Sequence, residues 1–149
     1  MANIGKWNTP SSLVSVLTTE LNSLATNTMS AASGAINNDT NLDMYGDLEL
    51  NLGTLSSTSG GYVSVYIAEA PDGTNYPAPS AADQRLQTNA LLCTFALSTT
   101  AATAQRLVCR NVLLPPGKFK LYLDNQAGAA MNATGNTLKL LPYNMNLNG

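Results

Sequence analysis

The chain has no histidine, one tryptophan, two cysteines and few charged residues. Each scarcity excludes something. Without histidine the commonest general base and the commonest transition-metal ligand are missing. A Ser-His-Asp hydrolytic triad is impossible. Cys93 and Cys109, with neither a His nor a CxxC pair to join them, do not make a structural zinc site. No GxxxxGK or GxGxxG stretch occurs, so no phosphate-cradling loop is read. The acids Asp39, Asp43, Asp47 and Glu49 match no calcium-loop spacing, and Asp47 with Glu49 reads as a solvated strand face. Carboxylate pairs of the glycosidase kind stay open, because their spacing is set in three dimensions. The expectation is a non-enzymatic protein with no catalytic residue, no cofactor and no metal.

Charged residues are 11% of the chain, against about 25% in an ordinary globular domain. Asn, Thr, Ser and Ala take their place. A polar surface with few ions costs little to desolvate against another protein, which leans toward an assembled state. The net charge of −2 gives no field that gathers nucleic acid. No run approaches the roughly 20 apolar residues of a membrane span. The start, "MANIGKWNTPSS", has one lysine and no apolar stretch behind it. That predicts cytoplasmic synthesis without a signal peptide.

The 149 residues present suit one globular unit with a substantial core. Residues 1–41 read as an N-terminal arm, a helix and a polar linker; residues 42–149 read as a β-domain. In the arm, Trp7 either packs back on its own domain or anchors the arm on a neighbour. "TPSSLVSVLTTELNSLA" has Leu13, Leu17, Leu21 and Leu24 at three- and four-residue spacing. Thr9 can cap it and Pro10 suits a first turn. An amphipathic α-helix is predicted, with Val14, Thr18 and Thr19 diluting its propensity. The Ser-, Ala- and Asn-rich stretch from Thr26 to Asn41 is long for a free loop and is expected to lie along a surface, its own or a neighbour's.

From there the period becomes two. Leu48, Leu50 and Leu52 alternate with Asp47, Glu49 and Asn51; Val63, Val65 and Ile67 alternate with Tyr62, Ser64 and Tyr66. "ALLCTFAL", "QRLVCRNVLL", "KFKLYLDN" and "NTLKLLPY" complete at least six strands, with "PDG" and "PPG" as turns. The fold class expected is mostly β, an antiparallel, jelly-roll-like sandwich preceded by the arm and helix. If the strands of Cys93 and Cys109 form one hairpin, the two thiols lie nearly opposite each other. Reduced cysteines are the expectation in a cytoplasm.

Lys118, Lys120, Tyr122 and Lys139 are read as one outer face on neighbouring strands. Such a face can be a single-strand platform, a partner contact or simply the wet side of a sheet. With nine acids in the chain and only seven cations, direct nucleic-acid binding is not expected. Trp7, Lys118, Lys120, Tyr122 and Lys139 are therefore candidate partner contacts. Six tyrosines keep sugar binding in view, since each ring offers an apolar face and a polar tip.

Three stretches carry a resemblance: "LDMYGDLELNLGTL", "GGYVSVYIAEAPDGTNYP" and "AQRLVCRNVLLPPGKFKLYLDNQAGAAMNATGNTLKLLPY". Together they make the segment from Leu42 to Tyr143 resemble small structural proteins of tailed-bacteriophage virions, of the head decoration or cement kind. The resemblance implies a β-sandwich on the capsid surface that binds the major capsid protein and copies of itself, with a trimer favoured. Tail, fibre or head–tail adaptor components, and a carbohydrate-binding module at a tail tip, are the alternatives. The first 41 residues carry less of the likeness.

Overall fold

The computed structural model describes residues 6–79, 91–99 and 103–146. The described chain forms eleven strands: β1 Lys6–Trp7, β2 Val14–Leu17, β3 Thr28–Met29, β4 Ile36–Asn37, β5 Tyr45–Leu55, β6 Tyr62–Ala70, β7 Leu91–Ala96, β8 Thr103–Leu113, β9 Lys118–Gln126, β10 Thr137–Tyr143 and β11 Met145–Asn146. They build two antiparallel sheets packed face to face, a β-sandwich. The first runs β2-β10-β5-β8; the second runs β3-β9-β6-β7, with β4 also on β9. A small β1–β11 ribbon stands at one end. Residues on both sides of position 41 contribute strands to the same two sheets.

The period-two reading of the strands holds. Leu48, Leu50, Leu138 and Leu140 of the first sheet meet Val63, Val65, Phe119, Leu121 and Leu123 of the second, all essentially sealed from solvent. Leu50 pairs with Leu138 and with Leu107, so one inward row crosses three strands. Turn chemistry also follows the sequence. Gly73 takes φ +76°, and Asp72 Oδ1 accepts the amides of Thr74 and Asn75 at 2.9 and 2.8 Å.

The predicted α-helix is absent from the described residues, and this is a correction. Val14–Leu17 is a strand on the edge of β10, with Leu17 opposite Leu138 and Val14 opposite Leu140. Only a 3-10 turn at Thr19–Leu21 follows, Thr18 donating its amide to Glu20 Oε2 at 2.8 Å. Of the four leucines on the supposed helical face, Leu17 and Leu21 are buried while Leu13 is exposed. The reason is tertiary. The edge of β10 is an unfilled row of hydrogen-bonding groups, and β-branched Val14 and Val16 suit a pleated partner better than a helix. The ladder continues outward: Ser11 N–H donates to the Pro142 carbonyl and Asn8 N–H to that of Asn144, at 3.1 and 2.9 Å.

The polar stretch after Thr26 lies along the edge of β9 in its own sheet. Asn27, Ser30, Ser33 and Asn38 donate backbone amides to the carbonyls of Asn125, Leu123, Leu121 and Gly117. Between β3 and β4 the chain bulges, and two hydroxyls complete the ladder. Ser33 Oγ accepts the Leu121 amide at 2.9 Å, and Ser30 Oγ accepts the Leu123 amide at 3.0 Å. Both serines are buried. Three buried asparagines fix the loops in the same manner. Asn38 holds Asp43 and Pro115, Asn125 holds Leu24, Ala127 and Ala129, and Asn136 holds Gly53 and Asn132.

Cys93 and Cys109 are not hairpin partners. β7 edges the second sheet and β8 the first, so the hairpin expectation is corrected. The two thiols still face each other from opposite sheets. Both are free, and burial pushes the Cys93 thiol far above its usual range.

Replacing Ser30 or Ser33 by Ala strips a buried amide of its acceptor. Each change is expected to cost about 1–3 kcal/mol, measured by urea unfolding. A loss within error for both would refute the role given to the hydroxyls.

Candidate functional site

The outer faces of the two sheets differ, and they separate the residues singled out in the sequence. Lys118, Lys120 and Tyr122 do share the outer face of β9, opposite Ala70, Ala68 and Tyr66 of β6. Lys139 is elsewhere: β10 belongs to the other sheet, so Lys139 lies on the opposite side of the sandwich. The single four-residue face is therefore corrected. "NTLKLLPY" and "KFKLY" look alike in period, and period alone does not say which sheet a strand joins.

On the second sheet, Tyr122 is buried in a satellite cluster with Ala68, flanked by Met29, Ala32 and Tyr66. Burial raises its hydroxyl pKa. Lys120 sits over the Tyr76 ring, its Nζ 4.6 Å from the centroid. Lys118 borders a shallow hollow with Asp39, Glu69 and the 115–117 turn. The β9 lysines are thus interleaved with acids and tyrosines rather than forming a basic track.

On the first sheet, Lys139 faces Glu49, its Nζ 3.6 Å from Oε1. Arg106 of β8 also holds Glu49, with Nε 2.9 Å from Oε2 and a terminal nitrogen on the same oxygen. Asn51 donates to Oε1 at 2.9 Å. The triad is brought together by register, since Glu49 is the Cα partner of Lys139 on one side and Asn51 that of Arg106 on the other. Glu49 is only 8% exposed. The Arg106 and Asn51 hydrogen bonds hold its carboxyl down at about 2, against 4.5 ordinarily. The solvated reading of Glu49 is corrected: it is a sheltered acceptor between two cations.

Farther along the same face the sheet ends in aromatics. Tyr45 and Tyr143 are Cα partners and stack at 6.0 Å. Trp7, delivered by the β1–β11 ribbon, meets both rings edge-on, at 5.9 and 5.4 Å. It packs on its own domain yet stays 57% exposed. Below it opens a cleft of about 400 Å³ bordered by Asp47, Arg110, Asn111, Leu141 and Tyr143. Tyr143 Oη lies 2.9 Å from Asp47 Oδ1 and 2.6 Å from the Asn111 side chain. The phenol has one proton, so it donates to Asp47 when the Asn111 amide is turned to donate to it. Burial, then the Asp47 bond, pushes the phenol up to about 12. The backbone N–H of Asn111 also donates to Asp47 Oδ1, at 3.0 Å. Asn111 has φ +58°, a left-handed conformation Asn tolerates, where the β5–β8 register slips. Sequence reading singled out Trp7 here but not Asp47, Arg110, Asn111 or Tyr143 as its companions.

A second opening, of about 410 Å³, lies between β2 and β4 where the sandwich is open at one side. Val14, Val16, Ile36, Leu140 and Pro142 border it. β2 is terminal in its sheet, so nothing described pairs with its outer edge. From Trp7 to Thr19 no residue is charged. Among the described residues no group of three or more acids and cysteines is arranged to hold a metal, and no helix is long and apolar enough to cross a membrane.

No protein-family description and no curated protein matches the chain. Among solved structures, similar chains include the following two. One is a carbohydrate-binding module, CBM6cm-2, from Cellvibrio mixtus lichenase 5A in complex with cellotriose. The identity is 13% and the TM-score 0.45, over 95% of this chain and 98% of that one. The other is a chain of infectious bursal disease virus, Gx strain, with 14% identity and a TM-score of 0.43, over 93% of this chain and 33% of that one.

The Glu49 triad has a pH signature. A carboxyl whose pKa is lowered by folding stabilises the fold above its unfolded value and loses that contribution as pH falls through the folded value. Glu49→Gln is expected to be less stable than the parent at pH 7, by a gap that stays constant down to about pH 5. The gap should then close between 4.5 and about 2. Urea unfolding at a series of pH values checks this, and a gap unchanged across that window would contradict it.

Proposed function

We propose that this chain is a non-enzymatic structural protein of a bacteriophage virion, a head decoration protein that docks on the outer capsid lattice. The observation that carries the reading is the β2 edge. Among the described residues nothing pairs with its outer side; it is free of charge from Trp7 to Thr19 and borders the apolar opening next to β4. Folded proteins commonly blunt such edges with lysine, proline or a covering segment. An edge left open in this way accepts an extended segment of a partner. Main-chain hydrogen bonds then supply affinity, and alternate side chains enter the opening.

Other features support the same reading. The strand orders β2-β10-β5-β8 and β3-β9-β6-β7 are those of a jelly roll, an architecture used in viral capsids and also in lectins. The low charge lowers the desolvation cost of wide protein–protein contact. The segment from Leu42 to Tyr143 resembles virion decoration proteins. In this reading the partner is the major capsid protein, joined by further copies of this chain as a homo-oligomer, with a trimer favoured. Many modest contacts on one lattice add through effective concentration. The chain is made in the host cytoplasm and resides on the capsid surface.

Two measurements test this. Purified virions should contain the protein at a copy number comparable to that of the major capsid protein. A handful of copies per particle would assign it to the tail, a fibre or the head–tail junction instead. Val14 is exposed on the β2 edge, and Val14→Lys should leave the fold intact but prevent loading onto particles lacking the protein. Loading equal to the parent would exclude the β2 edge as the docking site.

A further inference from the structure

We infer that the cleft beneath Trp7 is a saccharide-binding site, taking a pyranose unit of a neutral oligosaccharide. The inference does not depend on lattice docking, because the cleft lies on the outer face of the first sheet and the docking edge borders the opening between β2 and β4.

Three observations converge. First, Trp7 is held by two tyrosines and still leaves over half its surface in water. An exposed indole fixed in this way is a ready apolar plate for a flat ligand face, since little side-chain entropy is left to lose. Second, the polar groups beside it are pre-positioned. Asp47 Oδ1 is held by the Asn111 amide and the Tyr143 phenol. Its other oxygen is left as an acceptor with no partner among the described residues. The Arg110 side chain likewise has no hydrogen-bond or ion-pair partner among them. Third, Asp47 and Tyr143 sit on the paired strands β5 and β10, and the bulge carrying Arg110 and Asn111 is tied to Asp47 through the Asn111 backbone N–H, so the framework is set before any ligand arrives.

The chemistry selects the ligand. A pyranose ring has an apolar C–H face and a rim of hydroxyls that both donate and accept. The face suits Trp7 and Leu141. The rim suits an acceptor, Asp47, set beside the donors of Arg110. A phosphate or nucleic-acid backbone would meet the Asp47 carboxylate with only one cation, Arg110, in the cleft. An apolar peptide side chain would bury the Asp47 and Arg110 charges without partners, which is costly.

Trp7 is the chain's one tryptophan, so its fluorescence reports on this cleft without a label. The purified protein is titrated with neutral oligosaccharides of glucose, xylose, mannose, galactose and N-acetylglucosamine. At least one should give a saturable change in Trp7 emission. Arg110→Ala alters an exposed side chain outside the core and should weaken that binding roughly tenfold. Trp7→Ala, followed by titration calorimetry, should remove detectable binding while the circular dichroism spectrum is kept. The absence of a saturable response to every sugar, or binding by Trp7→Ala equal to the parent, would overturn the site. Binding confined to anionic saccharides would overturn the neutral-sugar assignment. All of these outcomes are read on isolated protein, so they stand apart from the loading of particles.

Discussion

Buried backbone groups must find partners, and in this chain neutral side chains meet much of that demand. A two-sheet sandwich leaves edges and connections that no neighbouring strand completes. Here Ser30 and Ser33 supply acceptors where the bulge between β3 and β4 draws the main chain away from β9. Asn38, Asn125 and Asn136 tie connections that would otherwise hold unpaired carbonyls and amides. The serine and asparagine content is thus structural as well as superficial.

The same economy of charge shapes the surface. The Glu49, Arg106 and Lys139 triad concentrates three of the chain's few ions at one place on the first sheet. Elsewhere that face carries aromatics, neutral polar groups and the Asp47 and Arg110 side chains of the cleft. One end of that face offers a plate and fixed hydrogen-bonding groups under Trp7, while the side of the sandwich offers an open strand edge. The first suits a small ligand with many hydroxyls, the second an extended polypeptide.

The strands were legible because their side chains alternate between a dry and a wet face. Leu48, Leu50 and Leu52, or Phe119, Leu121 and Leu123, are read correctly without any partner in view. The N-terminal segment misled for a definite reason. Leu13, Leu17, Leu21 and Leu24 have helical spacing, but the edge of β10 gives Val14–Leu17 an antiparallel partner. Tertiary pairing outweighed a weak local preference. The candidate site was less legible. Trp7 was noticeable as the one tryptophan, but Asp47, Arg110, Asn111 and Tyr143 come from three separate strands. Only register assembles them.

The sequence alone determined the strand periodicity, the inward rows, the turn at Asp72-Gly73 and the exclusion of histidine-dependent chemistry. These are local properties: they depend on pleat geometry, backbone freedom and the inventory of side chains. Tertiary structure alone decided which sheet each strand joined. It put Lys139 opposite the β9 lysines, brought Cys93 to Cys109 across the core, buried Glu49 between two cations and placed a polar cleft under Trp7. Those outcomes rest on pairing between residues far apart in the chain, and such pairing is settled by competition among all available edges rather than by any one segment's own pattern.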